Sequence, residues 1–200
     1  MWIADFRFNI SNRNPQSEIR NLIKMIKITK IETPLGEMVA GATEEGVCLL
    51  EFSDRRMLPT EYKDLLRLLK TTLEDGENRH LKTLRKQLKE YFDGKRKEFT
   101  IPLVAPGTEF QQVVWKELQN IQFGTTRTYL EQAMALNRPD SVRAVANANG
   151  MNRISIIIPC HRVIGSDGHL IGYGGGLKRK KWLLDHEIKY SGKAIDLSLF

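Results

Sequence analysis

The segment Pro159-Cys160-His161-Arg162-Val163 puts a thiol next to an imidazole. Apolar residues lead into it (Ile154, then Ile156 to Ile158), and glycines follow at 165, 168, 172 and 174 to 176. A thiol at the end of a buried segment, beside an imidazole and a loop that can approach a flat ligand closely, is how a reactive cysteine is displayed. An ordinary thiol titrates near about 8.5, so only a few per cent is thiolate at neutral pH. A nucleophilic cysteine therefore needs a base or a positive environment. His161 is the adjacent candidate, in contact directly or through a bridging water. A histidine base needs a carboxylate to orient it, and Glu187, which follows His186 in the final helix, is the one chosen. Taken alone, His161 fits a core histidine bonded to backbone as well as it fits a base, and Cys160 fits an inert buried thiol less well than a reactive one.

The rest of the composition narrows the setting. The chain has 200 residues, 41% of them apolar, enough for one domain or two small ones with a real core. Two cysteines, Cys48 and Cys160, give no disulfide framework. The four histidines (80, 161, 169, 186) and two cysteines show no metal-ligand spacing, so neither a metal nor a cofactor is expected. Residues 1–24 lack the apolar run of a signal peptide, and no segment is long enough to cross a bilayer. The expected location is the cytoplasm, with no membrane partner. A net charge of +7 favours a polyanionic partner, nucleic acid before an acidic membrane.

The elements that must position these residues follow from periodicity. Residues 1–24 read as a loose extension. Alternation over 26–33, then segments 38–43 and 47–52 separated by Thr33-Pro34-Leu35-Gly36 and Glu44-Glu45-Gly46, predict a three-stranded antiparallel meander. Cys48 in its third strand reads as a small buried hydrophobe. Helices are predicted over 60–73 and 77–93, the second burying Leu81, Leu84, Leu88, Tyr91 and Phe92. An extended piece over 99–103 leads to a boundary at 104–107, dividing an N-terminal α/β domain (25–103) from a C-terminal domain (106–190) and a tail (191–200). The second half opens with a helix capped by Thr108 and running to Ile121. Short helices at 128–136 and 140–149, joined by Asn137-Arg138-Pro139-Asp140, have helix-turn-helix spacing. A last helix runs from Leu177 to about Lys189.

With these segments in order, the chain resembles the O6-alkylguanine-DNA alkyltransferases, the methylated-DNA–protein-cysteine methyltransferases. The resemblance runs from about residue 27 to 188. It rests on Thr33-Pro34-Leu35-Gly36, on Tyr91 to Arg96, on Phe110-Gln111-Gln112-Val113-Val114-Trp115, and on Phe123-Gly124 followed by Tyr129. Its densest part is Ile158-Pro159-Cys160-His161-Arg162-Val163, then Gly172 to Leu177, then Lys180 to Leu184 with His186-Glu187. The fold it implies is α/β: a small ribonuclease H-like domain of antiparallel sheet plus helix, then a mainly helical domain with a winged-helix-like helix-turn-helix.

The resemblance also implies a reaction. A Cys160 thiolate attacks the alkyl carbon on guanine O6 and keeps it as a thioether. Water does not readily cleave a thioether, so the protein acts once per molecule. His161, held by Glu187, is the water-assisted base. Asn152 braces the turn before the nucleophile. Tyr129 offers its hydroxyl to the departing base, backbone amides near Tyr173 and Gly174 face O6, and Lys180 lines the site. The glycines at 174 and 175 themselves suggest a roomy pocket mouth, so O6-benzylguanine is expected to react. Where the family often has prolines after the asparagine, this chain has Arg153 and Ser155, so a less rigid turn is expected. The substrate implied is double-stranded DNA carrying O6-alkylguanine, and also O4-alkylthymine, bound by a monomer without an obligate protein partner. The base must rotate out of the duplex, with Arg143 entering the stack. Helix geometry sets Val142, Val145, Ala146 and Asn149 inward and Arg143, Ala144, Asn147 and Ala148 outward, toward the minor groove. Arg127, Arg138, Lys178, Arg179 and Lys181 are candidate phosphate contacts.

Two other readings fit parts of the sequence. A Cys/His hydrolase would use the glycine-rich segment as an oxyanion hole and turn over many times. A non-enzymatic helix-turn-helix protein, either a regulator or a lesion sensor, would bind DNA without chemistry, although such sensors lack the reactive cysteine.

Overall fold

The computed structural model describes residues 25–192. The expected extension over 1–24 lies outside the described residues, as does the tail beyond 192. Strands β1 (Met25–Ile31), β2 (Met38–Ala42) and β3 (Val47–Phe52) form the expected antiparallel meander. A fourth strand, β4 (Thr72–Asp75), pairs parallel to β1 and makes the order β3-β2-β1-β4. This corrects the helix expected over 60–73. That helix, α1 (Leu58–Leu69), stops where Lys70 turns left-handed at φ 48°, and the chain runs on into the sheet edge. The crossover helix between the parallel strands is the connection such pairing requires. Helix α2 (Arg79–Phe92) starts at Asn78, whose side chain accepts from the amides of His80 and Leu81. It lays Leu81, Leu84, Leu88 and Tyr91 into the main core.

In the second half, α3 (Glu109–Leu118) opens with a reciprocal capping box between Thr108 and Gln111. Strand β5 (Arg127–Thr128) feeds α4 (Tyr129–Ala135), then a single 3-10 turn over Pro139–Ser141 leads into α5 (Val142–Gly150). A second 3-10 turn holds Cys160–Arg162, and β6 (Val163–Ile164) pairs parallel to β5. Helix α6 (Leu177–Ser191) closes the described chain. The mixed α/β sheet unit followed by a mainly helical unit is the expected fold class.

The free edge of β3 is what ties the halves together. Val47 donates to Pro102 O (2.9 Å) and accepts from Val104 N (2.8 Å). Three residues on, Leu50 donates to Arg153 O (2.8 Å) and accepts from Ser155 N (2.8 Å). One strand edge thus receives both the inter-half segment and the segment that runs into Cys160. Among the described residues, no helix is long and apolar enough to cross a membrane.

Candidate active site

Two tight turns deliver the thiol. Ile157 N bonds Ser155 O (2.9 Å) around Ile156, whose φ of 73° is a strained conformation for a β-branched residue. Cys160 N then bonds Ile158 O (2.8 Å) around Pro159, at φ −84° and ψ 61° an inverse γ-turn. Asn152 spans both. Its amide nitrogen donates to Ile158 O (2.8 Å) and to Cys160 Sγ (3.3 Å), and its oxygen accepts from Ile154 N (3.0 Å). Where the family often has prolines, the side chains of Arg153 and Ser155 tie this turn to neighbouring elements. Arg153 bonds Pro106 O (3.0 Å) and Asp64 (2.9 Å), and Ser155 donates to Glu51 Oε1 (2.6 Å). Hydrogen bonds to neighbouring elements do the bracing that prolines would do through φ.

His161 is fully buried, and its Nε2 lies 2.9 Å from Glu187 Oε1. Glu187 also accepts from the Tyr91 hydroxyl (2.9 Å), from Arg162 Nε (2.8 Å) and Nη2 (3.0 Å), and from Gly124 N (3.1 Å). Burial alone would raise this carboxyl, but His161 and Arg162 together outweigh it and hold it well below the usual carboxylate range. An ionised Glu187 can only accept, so Nε2 carries the imidazole proton. That leaves Nδ1 as an acceptor, buried and without a hydrogen-bond partner among the described residues. Burial lowers the His161 pKa despite Glu187, keeping the ring neutral. The Cys160 thiol is only 7% exposed, and burial pushes it up to about 11, opposed by the Asn152 hydrogen bond. The resting sulfur is therefore protonated and needs a base, for which His161, the next residue in the chain, is the candidate.

Around this pair stands a ring of polar groups. Tyr129, raised to about 12 by burial and then by the neighbouring thiol, donates to Gly172 O (3.2 Å). Lys180 is buried along α6, and its ammonium donates to Val163 O and Ile171 O. Burial brings Lys180 down to about 8, and Cys160 works in the opposite direction. The Tyr173 ring meets His161 edge-on at 6.4 Å, with its hydroxyl buried near Ser155. Gly174 and Gly175 are held as glycines by what packs on them. A Cβ on Gly174 would collide with the Arg55 guanidinium, and one on Gly175 would fall 2.7 Å from Phe52 Cδ2. Glycine is needed there because the neighbouring β3–α1 connection presses against the loop.

On the helix-turn-helix, Arg143, Ala144 and Asn147 are exposed on α5 as expected. Ala148 is a correction: it is 2% exposed, beneath α3, and its carbonyl accepts from Trp115 Nε1 (2.8 Å). Among the phosphate candidates, Arg127 is held in an ion pair with Glu117. Arg179 is held by Asp54 (2.8 Å) over the Phe52 ring, and Arg138 lies over Phe110 at 5.7 Å. Lys181 lies 3.3 Å from Asp185. Sequence reasoning used Tyr91 only as a core residue and Arg162 only as part of a motif. A phenol on the buried stripe of α2 was the available signal, since buried Tyr hydroxyls need partners. A groove of about 1060 Å³ runs behind the motif, between Phe99, Trp115, Phe123 and Pro159, but Cys160, Tyr129 and Tyr173 do not line it. Among the described residues, no cluster of His, Cys, Asp or Glu could hold a metal ion.

Comparison with known proteins gives this geometry a context. Residues 26–105 match the ribonuclease-like domain of 6-O-methylguanine DNA methyltransferase, and residues 109–189 match the DNA-binding domain of 6-O-methylguanine DNA methyltransferase. A methylated-DNA–protein-cysteine methyltransferase from Methanosarcina barkeri is 40% identical over 160 residues, covering 78% of this chain and 94% of the relative. The crystal structure of O6-methylguanine methyltransferase from Mycobacterium tuberculosis superposes with a TM-score of 0.71 at 38% identity, covering 88% of this chain and 99% of the other. A structure of OGT from the same organism in complex with DNA gives a TM-score of 0.70 at 36% identity, with the same coverage.

Proposed function

The chain belongs to the 6-O-methylguanine DNA methyltransferase family of DNA-repair enzymes, and on that premise we propose that Cys160 is the alkyl acceptor for O6-alkylguanine in duplex DNA. The observation that carries the proposal is the polarised Glu187–His161 pair beside a thiol that does not ionise unaided. The Cys160 proton passes to His161 Nδ1 through a water, and Glu187 stabilises the imidazolium that forms. The thiolate attacks the alkyl carbon in line with the departing O6. The C–O6 bond breaks, and its electron pair flows into the guanine ring. The Tyr129 hydroxyl, kept protonated by burial, donates a hydrogen bond to N3 of the departing base as charge builds there. The proton taken from Cys160 is released by His161 through water as the guanine is protonated, so thiol, imidazole and phenol balance. Lys180 fixes the Ile171 and Gly172 carbonyls, so that Gly174 and Tyr173 present their amides to O6.

The product is a thioether with no carbonyl for water to attack, so each molecule reacts once. This separates the reading from a Cys/His hydrolase. The target nucleotide rotates out of the stack, and Arg143, exposed at the start of α5, fills the vacancy. Ala144 and Asn147 form the small outer surface that faces the minor groove, and Arg127 contacts phosphate only by leaving Glu117. O4-alkylthymine is a second substrate. The monomer suffices, with the DNA-facing and reactive groups in residues 106–190 and residues 25–103 bracing them. Titrating the protein with excess methylated duplex tests this reading. Repaired guanine should level off at one per protein, and continued repair beyond that ratio contradicts it.

A further inference from the structure

A buried cluster of charge sits outside the Cys–His–Glu system. Arg55, in the connection after β3, is 8% exposed and reaches three places at once. Its Nη2 donates to Gly150 O (2.8 Å), the last residue of α5. Its Nη1 lies 3.2 Å from Glu51 Oε1, the same oxygen that accepts from Ser155 Oγ (2.6 Å) just before the strained turn. Its guanidinium also fills the space that a side chain on Gly174 would occupy. Glu61, at the start of α1, holds the remaining edge at 2.9 Å from Nε. Burying one arginine and two glutamates in an interface is costly unless their geometry is used.

The guanidinium reaches three elements: the end of the DNA-reading helix directly, the turn that presents the nucleophile through Glu51 and Ser155, and the loop at Gly174 by filling the space beside it. Resting on the alkyl-transfer reading above, we propose that Arg55 is a positioning residue for the reaction. Its planar fork sets the spacing between Gly150 and Gly174, so that docking of α5 on DNA brings the pocket wall and Cys160 into register. A lysine could not do this, because a point charge cannot hold the Gly150 carbonyl and the Glu51 carboxyl group through separate nitrogens while filling the flat space beside Gly174. Removing the fork changes the geometry of transfer without removing a DNA contact.

The experiment uses the full chain and a duplex carrying one O6-methylguanine, with single-turnover rates measured against protein concentration. The wild-type arm tests the underlying reading: no methyl transfer there sinks the proposed function and leaves Arg55 with nothing to position. Given wild-type transfer, Arg55→Met should lower the maximal rate by about tenfold or more, as small misplacements at a reacting centre do, while half-saturation changes little. Arg55→Lys should not restore the rate. If Arg55→Met does not fold, a cycle of Gly174→Ala and Arg55→Lys replaces it. Gly174→Ala should slow transfer less in the Lys background than in the wild type, because the guanidinium it strikes is gone. An unchanged maximal rate, a loss confined to half-saturation, full rescue by lysine, or strict additivity in the cycle would each overturn the inference.

Discussion

His161 Nε2 and Glu187 Oε1 stand 2.9 Å apart in a fully buried contact, while His161 Nδ1 has no partner among the described residues. One nitrogen is committed and the other is kept free to take a proton. Glu187→Gln should therefore slow methyl transfer by about a hundredfold, the lower end of what a general base contributes. It should also destabilise the fold, because Arg162 loses its carboxylate. Single-turnover kinetics and thermal unfolding of the variant check both.

The pH dependence follows from the same pair. Glu187 titrates below its unfolded value, so its stabilisation is present above about 4.5 and is lost as pH falls further. His161 is also lowered, from 6.5, so the unfolded state takes up the proton first and stability falls as pH drops through that value. Glu51 has the opposite sign. Burial raises it to about 8 despite Arg55, so stability is lost as pH climbs from 4.5 toward that value. Unfolding midpoints of Glu51→Gln and the wild type should diverge in the variant's favour over that interval. Parallel curves would contradict the assignment.

Tyr91 couples the N-terminal half to the base through one hydroxyl. Tyr91→Phe keeps the ring among Phe92, Phe99 and Phe123 and removes only the bond to Glu187. The expected cost is about 1.5–3 kcal/mol, the range for a hydrogen bond to a charged group, with a several-fold slower transfer. Denaturant unfolding and the single-turnover rate measure the two effects.

Much of this site was legible in the sequence, and what was missed has physical reasons. Cys160, His161 and Glu187 stand out because a reactive thiol needs a base, and the base needs an orienting acid. Strand β4 did not, because its four residues are mostly exposed and its membership rests on backbone pairing with Met25–Ile28. No side-chain alternation announces such an edge. The inward face of α5 was read one residue too narrow: Val145, Ala148 and Asn149 are all buried, and alanine's small size fits either face. Gly174 reads as empty space in a sequence, whereas in the fold it is filled by Arg55, 119 positions earlier in the chain.

Arg143 separates docking from chemistry. Arg143→Ala should weaken repair of methylated duplex by about tenfold or more, consistent with losing roughly 1.4 kcal/mol or more of flipped-state stabilisation. Reaction with the free base O6-benzylguanine should stay near the wild-type rate. Equal losses on both substrates would place Arg143 in the pocket instead.

The account depends on one sulfur capturing one carbon for good, and the mass of the intact protein after reaction with methylated duplex reads that directly. The gain of a single methyl group, mapped to the peptide containing Cys160 and absent in Cys160→Ala, is the predicted result. Repaired DNA beside a protein of unaltered mass, or a methyl group on Cys48, would contradict it.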